Sequence, residues 1–461
     1  MRIIVLNGSP KGDLSVTMQY IHYIQKRFPE HDLRIINIAH SIKKIEKEDS
    51  VFMEVIDAVR SSDGVLWAFP LYYCLVPSQY KRFIELILEK KVEEVFKNRY
   101  AAVLTTSIHF FDHTAHNYMQ AICDDLDMRY VGSYSAEMHD LLKEEHRRRL
   151  LLFAEQFFGA IENRITTPKA YSPLVHGTFT YHAGPIQKSI QTGGKKILVV
   201  TDHEDHQTTL VRMVEQFRDS FHSGVEVVNL NQVDIKGGCL GCLQCGYDNT
   251  CVYTGKDEFI EFFDERVKKA DILVFAGSIR DRYLSSRWKM FFDRSFYNTH
   301  IPSLSGKQMG FLVSGPLSQI PNLRQIMEAY AELQQANLVN ILTDECGDAA
   351  TLNALIQEFA ARLVWSANKG YMKPRTFLEV GGRKVFRDEI WSSLRFPFQA
   401  DDRYYAKHGM YDFPHGHYKA RMTSRLLILL TKIPAMRKEI YLKKLKTEMI
   451  KPLQKVVQDG K

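Results

Sequence analysis

The stretch that decides the fold is Arg2–Thr17, with the sequence RIIVLNGSPKGDLSVT. Residues 2–6 are mostly apolar and predict a short buried strand. Glycine and hydroxyl-bearing residues follow, and from Val16 to Phe28 an apolar residue recurs at every fourth position, which indicates one apolar face of a helix. A strand, a glycine-rich turn and a helix in this order are typical of an α/β fold.

The same alternation of strand and helix runs through the chain twice. In the first 165 residues we predict further strands at 33–38, 64–69, 100–106 and 129–135 and helices at 49–60, 80–91, 116–125 and 143–164. The alternation restarts at Lys195, with strands at 196–200, 225–230, 271–276, 308–313 and 338–342 and a closing helix at 348–368. Strands that alternate with helices favour a parallel sheet covered on both faces. The predicted fold class is therefore α/β, with two tandem doubly wound parallel five-stranded sheets.

These patterns divide the chain into four segments. We predict a first domain at 1–165, a linker rich in Pro and Gly at 166–194, a second domain at 195–370 and a mostly helical, basic extension at 371–461. Positions 419–461 hold twelve Lys or Arg and three acidic residues, a local net charge of +9 in a chain whose total is +7. The two domains are thus slightly acidic, and no nucleic-acid motif accompanies the basic segment.

The loop after the first strand has the chemistry of a phosphate site. A turn at the N-terminus of a helix presents free N–H groups and the positive end of the helix dipole, and both favour an anion. The residues expected to bind the phosphate are Ser9, Lys11, Ser15, Val16 and Thr17. The loop is neither a Walker A nor a G-x-G-x-x-G motif, and a capped helix after a tight turn is the alternative interpretation.

Two more loops follow strands of the same predicted sheet. The third strand is followed by Pro70, Leu71, Tyr72 and Tyr73, and the fourth ends in Thr106, Ser107 and His109. Open parallel sheets bind ligands at the carboxyl ends of their strands. A phosphate on the first loop and a flat aromatic ring against the other two is the arrangement that FMN requires. These residues are therefore the predicted flavin contacts, with core packing of the two tyrosines as the alternative.

Four of the seven cysteines fall within thirteen residues. They are Cys239, Cys242, Cys245 and Cys251, with the spacing C-x2-C-x2-C-x5-C after the second strand of the second domain. Thiolates on one tight turn suit a [4Fe–4S] cluster, whereas zinc more often uses two separate C-x2-C knuckles. We predict the cluster and keep zinc and a redox-active or empty thiol site as alternatives. Cys74, Cys123 and Cys346 are expected to pack as buried thiols, without a disulfide framework.

The loops and the cysteines also carry a family resemblance. Asn7–Thr17 resembles the phosphate loop of the NADPH-dependent FMN reductase family, and Pro70–Glu85 resembles its flavin-edge loop, with Glu85 where many members have Asp. Cys239–Cys251 resembles the compact cysteine motif of the iron–sulfur flavoproteins, a branch of that family. The resemblance covers both domains. It implies a flavodoxin-like fold, bound FMN and NAD(P)H as a candidate donor.

The two domains depart from the family pattern in complementary ways. The first loop of the second domain, Thr201–Thr209, lacks glycine and carries three acidic residues, which would repel a phosphate. The first domain has both flavin loops and no cysteine cluster. In simple members of the iron–sulfur branch, the cluster of one subunit approaches the flavin of another. We therefore hypothesise that this chain fuses such a pair, with FMN in the first domain and one cluster in the second.

These features predict an FMN-dependent oxidoreductase, dependent on NAD(P)H or ferredoxin, that passes electrons between flavin and cluster. The alternatives are a ferredoxin-linked electron carrier without its own substrate and a flavodoxin-like protein with a structural zinc. No side chain has the pattern of a committed general base.

Ferredoxin or another redox protein is the candidate partner, and whether the chain forms a homo-oligomer stays open. Contact of the basic tail with a membrane surface is less favoured than its packing on the two domains. The short apolar N-terminal run and the lack of a long apolar window predict a cytoplasmic location.

Overall fold

Strands and helices alternate twice in the computed structural model, which describes residues 1–186, 189–204, 208–414 and 418–459. The first sheet contains β1 Arg2–Asn7, β2 Asp32–Asn37, β3 Gly64–Pro70, β4 Tyr100–Thr106 and β5 Arg129–Ala136. Its helices are α1 Val16–Arg27, α2 Ile38–Lys47, α3 Asp49–Arg60, α4 Ser78–Glu89, α5 Asp112–Asp125 and α6 Glu144–Glu162.

The second half repeats this order. Its strands are β6 Ile197–Thr201, β7 Val225–Asn229, β8 Ile272–Ser278, β9 Gln308–Ser314 and β10 Asn337–Thr343. Its helices are α7 Thr209–Asp219, α8 Cys245–Asp248, α9 Phe259–Phe262, α10 Ser286–Ser295, α11 Pro321–Leu333 and α12 Ala349–Lys369. The extension contains α13 Phe377–Trp391, α14 Gln399–Lys407, α15 Tyr418–Leu430, α16 Pro434–Lys438 and α17 Leu445–Asp459. The prediction that the extension is mostly helical is confirmed.

Both sheets are parallel and have the same strand order, β2-β1-β3-β4-β5 in the first and β7-β6-β8-β9-β10 in the second. This order is that of flavodoxin-like folds, so the predicted fold class is confirmed. The direction of winding reverses between β1 and β3. The carboxyl ends of these two strands therefore open a crevice of the kind in which such folds bind ligands.

The two sheets share the apolar layer that lies between them. Phe83 on α4 and Tyr118 on α5 belong to the same buried cluster as Trp288 on α10 and Tyr330 on α11. Two separate clusters cover the outer faces, one under α1 and α6 and one under α7 and α12. Burial of apolar surface is the main stabilising term in folding. Because the middle cluster draws on both halves, each half completes its core with the other.

Helices α4 and α10 cap each other across this middle layer. The backbone N–H of Ser78, at the start of α4, donates to Oδ2 of Asp293 on α10 at 2.7 Å. In return, the N–H of Ser286, at the start of α10, donates to Oε1 of Glu85 on α4 at 2.6 Å. Each carboxylate thus satisfies a helix N-terminus that has no partner within its own helix.

Each of these carboxylates also pairs with a lysine one turn earlier on its own helix. Lys81 Nζ lies 2.8 Å from Glu85 Oε1 and 3.0 Å from Asp281 Oδ2, and Lys289 pairs with Asp293. The side chains of both lysines are fully buried. A buried charge is tolerated only when it is paired and hydrogen-bonded. The two ion pairs therefore require the two halves to stay together.

Apart from shifted helix limits, such as the start of α5 at Asp112 where residue 116 was predicted, the structure differs from the sequence-based predictions at two places. Helix α2 was not predicted, although its residues Ile38, Ile42 and Ile45 are buried at helical spacing. Ile38 begins this helix and does not end the preceding strand. The second difference is Cys346, which is exposed, so the prediction that it packs as a buried thiol is wrong.

The chain up to Tyr404 forms one compact unit, and the residues from Tyr405 onwards form a second. Both sheets lie in the first unit, so the domain limits at 165, 194 and 370 remain predictions. Within the described ranges, no helix combines the length and the apolar character needed to cross a membrane.

Candidate functional site

The first loop passes close to the sheet between β1 and α1. The Gly8 N–H donates to the carbonyl of Ala68 at 2.7 Å. A side-chain carbon at Gly8 would stand 2.7 Å from Cβ of Phe69 and 2.8 Å from the Tyr80 ring, so only glycine fits there. At the end of the loop the Ser15 hydroxyl accepts a hydrogen bond from the Met18 N–H at 3.2 Å and caps α1.

The predicted phosphate residues of this loop differ in exposure. Ser9, Ser15 and Thr17 are buried, Val16 is half-buried, and Lys11 is exposed. The Thr17 and Thr106 hydroxyls share a hydrogen bond of 2.7 Å, which joins the start of α1 to the end of β4. The N–H groups in the first turn of α1 have no partner within the helix. This end of α1 is therefore suited to an anion.

The second loop is a two-residue hairpin with an uncommon backbone. Tyr72 and Leu75 exchange backbone hydrogen bonds of 2.9 and 3.0 Å, and Tyr73 and Cys74 between them have φ of +38° and +63°. Two positive φ values are typical of a type I′ turn, where Asn and Gly are usual. Non-glycine residues in this region cost on the order of 1 kcal/mol each, and such strain clusters at functional sites.

The third loop is tied to the other two. The Leu71 N–H, in the second loop after Pro70, donates to the Thr106 carbonyl at 3.0 Å. Ser107 is half-buried and its hydroxyl accepts a hydrogen bond from the His109 N–H at 2.9 Å. His109 Nδ1 lies 3.0 Å from Asp112 Oδ2, and this hydrogen bond raises the pKa of His109. The three predicted flavin loops therefore meet at one edge of the first sheet.

All four cysteines of the predicted cluster site line one cavity. Its walls are otherwise mainly apolar and include Leu240, Leu243, Val252, Phe296 and Tyr297. The Gly241 N–H donates to Cys239 Sγ at 3.4 Å. Burial raises the pKa of Cys239 and of Cys245 to about 12. Of the described residues, no three or more His, Cys, Asp or Glu are arranged to hold a metal ion. The predicted [4Fe–4S] site is thus not confirmed.

Arg294 also lines the cysteine cavity. Its guanidinium donates to Asp257 at 2.7 and 3.0 Å and to the Gly237 carbonyl at 2.9 Å, and it lies 4.1 Å from the centroid of the Tyr253 ring. The remaining Nε–H is buried and has no hydrogen-bond partner. Buried donors are rarely left unpaired, and this one belongs to a residue that lines the cavity.

The cysteine loop of the second domain lies directly on the flavin-edge loop of the first. A side-chain carbon at Gly241 would stand 1.9 Å from the Tyr72 hydroxyl oxygen and 3.0 Å from Cε of Lys11. Beside this contact, Gln79 Nε2 donates to the Cys239 carbonyl at 3.0 Å. The structure therefore brings together the predicted flavin loops and the predicted cluster ligands.

The two tyrosines of the flavin-edge loop occupy different surroundings. Tyr73 packs into the second domain, with its ring centroid 6.1 Å from that of Phe296 and 6.0 Å from that of Tyr330. Tyr72 is half-buried beside the cysteine loop. Burial raises the pKa of both phenols. Tyr73 therefore has the core-packing role that the sequence left open, and Tyr72 is the residue at the boundary between the loops.

In the second domain, Asp202 follows β6 where Gly8 follows β1. Asp202 is buried, its carboxylate accepts a hydrogen bond from the Ser285 hydroxyl, and burial raises its pKa to about 6. A buried carboxyl group at this point of the loop disfavours a phosphate beside it, because the carboxylate form would repel the anion. Part of the loop, 205–207, lies outside the described residues, so the loss of FMN from this domain stays a prediction.

Sequence reasoning missed three contributors to the site. Gln79 donates to the cysteine loop, the buried Lys289–Asp293 pair lies close enough for Asp293 to act electrostatically on Cys239, and Pro397 contacts the helix that carries Cys245. A side-chain carbon at Gly246 would stand 2.0 Å from the Pro397 carbonyl oxygen, so the extension packs on the short helix that carries Cys245. All three roles depend on contacts between residues far apart in sequence, for which spacing gives no signal.

The comparison with protein-family sequence models gives a match in the first part of the chain. Residues 1–140 match the sequence model of the NADPH-dependent FMN reductase family. This stretch contains all three predicted flavin loops. A search of curated proteins found no match.

Several solved structures resemble part of the chain. An NADH:FMN oxidoreductase (EMOB) in its apo form is 17% identical over 34% of this chain and 87% of its own, with a TM-score of 0.30. RosB with a bound 8-demethyl-8-formylriboflavin-5'-phosphate intermediate is 15% identical over 42% and 88%, with a TM-score of 0.32. An FMN-dependent NADH-azoreductase from Bacillus anthracis in complex with FMN is 15% identical over 35% and 98%, with a TM-score of 0.27. At such identities the likeness concerns the fold alone.

Proposed function

We propose, from the premise that residues 1–140 belong to the NADPH-dependent FMN reductase family, that this chain is an FMN-dependent oxidoreductase whose electron donor is NAD(P)H. We further propose that the cysteine cavity of the second domain holds a [4Fe–4S] cluster that exchanges electrons with the flavin. The observation that carries both proposals is the contact of Gly241 with Tyr72 and Lys11, because it joins the cysteine loop to the flavin loops.

The residues of the first three loops fit FMN. The start of α1 presents N–H groups that have no partner inside the helix, and of these the Ser15 hydroxyl already caps that of Met18. Ser9, Ser15 and Thr17 place buried hydroxyl groups in the same loop. Lys11 is exposed there and adds a positive charge. Tyr72 bounds the space on the side of the second domain. These residues would hold and orient the cofactor, which supplies hydride and single-electron chemistry when bound.

The cysteine cavity fits an iron–sulfur cluster better than zinc. A zinc ion bound by cysteines at about 2.3 Å needs sulfur atoms about 4 Å apart, and the described residues include no such group. A cubane is wider than one ion and takes four thiolates around one common cavity, and all four cysteines line the same cavity here. The Gly241 N–H and the unpaired Arg294 Nε–H are donors suited to sulfur acceptors, and such hydrogen bonds tune cluster potentials.

The test is the cofactor content of the anaerobically purified chain. We expect about four iron atoms and one FMN per chain, an NAD(P)H-dependent bleaching of the flavin absorbance, and a further broad absorbance near 400 nm. Cys242→Ser and Cys251→Ser should each lose most of the iron and keep FMN. Cys346→Ser is the matched control, since Cys346 is exposed and is not among the cavity residues, and it should keep both cofactors.

The two parts of the proposal fail separately. Protein that binds FMN but no iron would refute the cluster and leave the flavin enzyme intact. Stoichiometric zinc bound through the same cysteines, in protein without the absorbance near 400 nm, would also refute the cluster and leave the flavin enzyme intact. Failure of NADH and NADPH to reduce bound FMN would refute the donor, and absence of FMN would refute the enzyme.

A further inference from the structure

The last part of the chain exposes an unusual amount of apolar surface. No residue of the helices and turns at 418–444 is buried, although this segment includes the run Leu426–Leu430. The exposed fractions are 61% for Leu426, 60% for Ile428 and 57% for Leu429. Scattered exposed apolar residues are normal on a protein surface, but contiguous ones mark an interaction site.

Helix α17 gathers its apolar residues on one face. Leu445, Met449, Leu453 and Val456 follow one another at intervals of four, four and three residues, so they lie along one side of the helix. Ile450 and Val457 widen the same side. All six side chains are exposed, between 40% and 80%. The opposite side carries Lys451, Lys455 and Gln458. The helix is therefore amphipathic, with its apolar face open.

The charge of this segment is strongly positive. Positions 419–461 hold twelve Lys or Arg and three acidic residues. Two copies of such a segment repel each other, which disfavours pairing with a second copy of the chain. An anionic surface attracts it, and an amphipathic helix with basic residues and exposed leucines is the kind that lies in a membrane interface. Leucines at 426, 427 and 429 around one short helix suit fluid acyl chains better than a shaped protein groove.

We propose that residues 418–459 form a docking surface for an anionic lipid bilayer, with the apolar face of α17 and the Leu426–Leu430 run in the interface and the lysines at the headgroups. The sequence favoured packing of this segment on the two domains. The inference does not depend on the redox function.

The experiment is co-sedimentation of the full chain with vesicles. Vesicles of phosphatidylcholine with 30% phosphatidylserine should bind at least tenfold more protein than pure phosphatidylcholine vesicles, and 0.5 M salt should reduce the difference. The variant Met449→Glu, Leu453→Glu should lose at least tenfold in binding. The matched control Thr447→Glu, Gln458→Glu changes the charge equally on the polar face and should lose less than about threefold.

Other outcomes would overturn the proposal. Equal binding to both vesicle types would show that charge does not drive the binding. Equal losses in the two variants would show that the apolar face does not contribute. Absence of vesicle binding, with a dimer in light scattering that Met449→Glu, Leu453→Glu dissociates, would assign the surface to a second copy of the chain. A circular dichroism spectrum like that of the wild type shows that each variant is folded.

Discussion

Gly241 is under two constraints at once. Its φ of +61° lies in the left-handed region, and a side-chain carbon there would collide with the Tyr72 hydroxyl at 1.9 Å. Gly241→Ala should therefore displace the cysteine loop from the flavin loop and cost about 1–3 kcal/mol of stability. We expect the iron content to fall severalfold and the FMN content to differ from that of the wild type by no more than about a fifth. Both are measured on anaerobically purified protein.

The control separates backbone strain from the contact. Gly255 has a φ of +72°, and a side-chain carbon there would meet nothing within 4 Å. Gly255→Ala has the same strain without the collision, so it should lower stability to a similar extent and leave the iron content unchanged. Equal iron in both variants would show that the contact with Tyr72 does not position the cysteines.

Asp202 predicts a pH-dependent difference in stability. Burial raises its pKa to about 6, above the value of about 3.9 in an unfolded chain. The folded state binds the proton more tightly than the unfolded chain does. The contribution of this proton to the free energy of unfolding is therefore fully present below about pH 4 and is lost as the pH rises through 6. Asp202→Asn imitates the protonated form. At pH 8 it should be more stable than wild type by up to about 3 kcal/mol, and below pH 4 the two should be equal, as measured by urea unfolding.

Asp348 gives the opposite sign in the same measurement. The N–H of Thr351 donates to its carboxylate and lowers the pKa of Asp348. The contribution of the Asp348 carboxylate to the free energy of unfolding is therefore present above its pKa in the unfolded chain. It is lost as the pH falls through its pKa in the folded state. Asp348→Asn should therefore be less stable than wild type at neutral pH and equally stable in acid. Asp202→Asn, in contrast, should be more stable than wild type at pH 8 and equally stable below pH 4. A difference between Asp202→Asn and wild type that does not vary with pH would contradict the proposed cause.

At the scale of elements, the reciprocal capping of α4 and α10 holds the two halves together. Asp293 receives the Ser78 N–H and neutralises Lys289, whose side chain is fully buried. Removing one member of a buried pair leaves an uncompensated charge and costs about 3–5 kcal/mol. Asp293→Ala should therefore destabilise the chain by about that amount in urea unfolding of the cofactor-free protein.

Two further variants test whether the buried charge is the cause. Lys289→Met combined with Asp293→Leu removes both charges and should recover most of the loss, because apolar replacement of a buried pair is often neutral. Glu265→Ala breaks the exposed pair with Lys269, whose side chains are more than half exposed, and should cost about 0.5 kcal/mol or less. If Asp293→Ala cost no more than Glu265→Ala, the pair would not secure the interface.

The elements were largely predictable because each has a local signal. The helix at 49–60 has the predicted bounds, and every predicted strand is present, with limits that differ by at most two residues. Helix α2 was missed because it begins at Ile38, directly after β2, with no glycine or proline between them. The run of apolar residues therefore looks continuous with the strand, and only the packing of Ile42 and Ile45 separates the two.

At the scale of the whole molecule, two halves of the same topology carry different loops at corresponding places. The first retains the phosphate loop, and the second carries the cysteines and a buried Asp202 in place of Gly8. The shared middle layer brings these unlike loops into contact. The proposed redox site rests on this contact between the predicted flavin loops and the cysteine loop.

The sequence by itself determined the α/β alternation, the repeat, the phosphate loop and the cysteine spacing, because each is written in residues that are close along the chain. Only the tertiary structure decided that Gly241 lies on Tyr72, that Asp293 caps α4, that Tyr73 belongs to the core and that the leucines of α15 are exposed. Such contacts join residues as far apart in the sequence as Tyr73 and Tyr330. They depend on how two amphipathic surfaces pack together, which no local pattern of residues records.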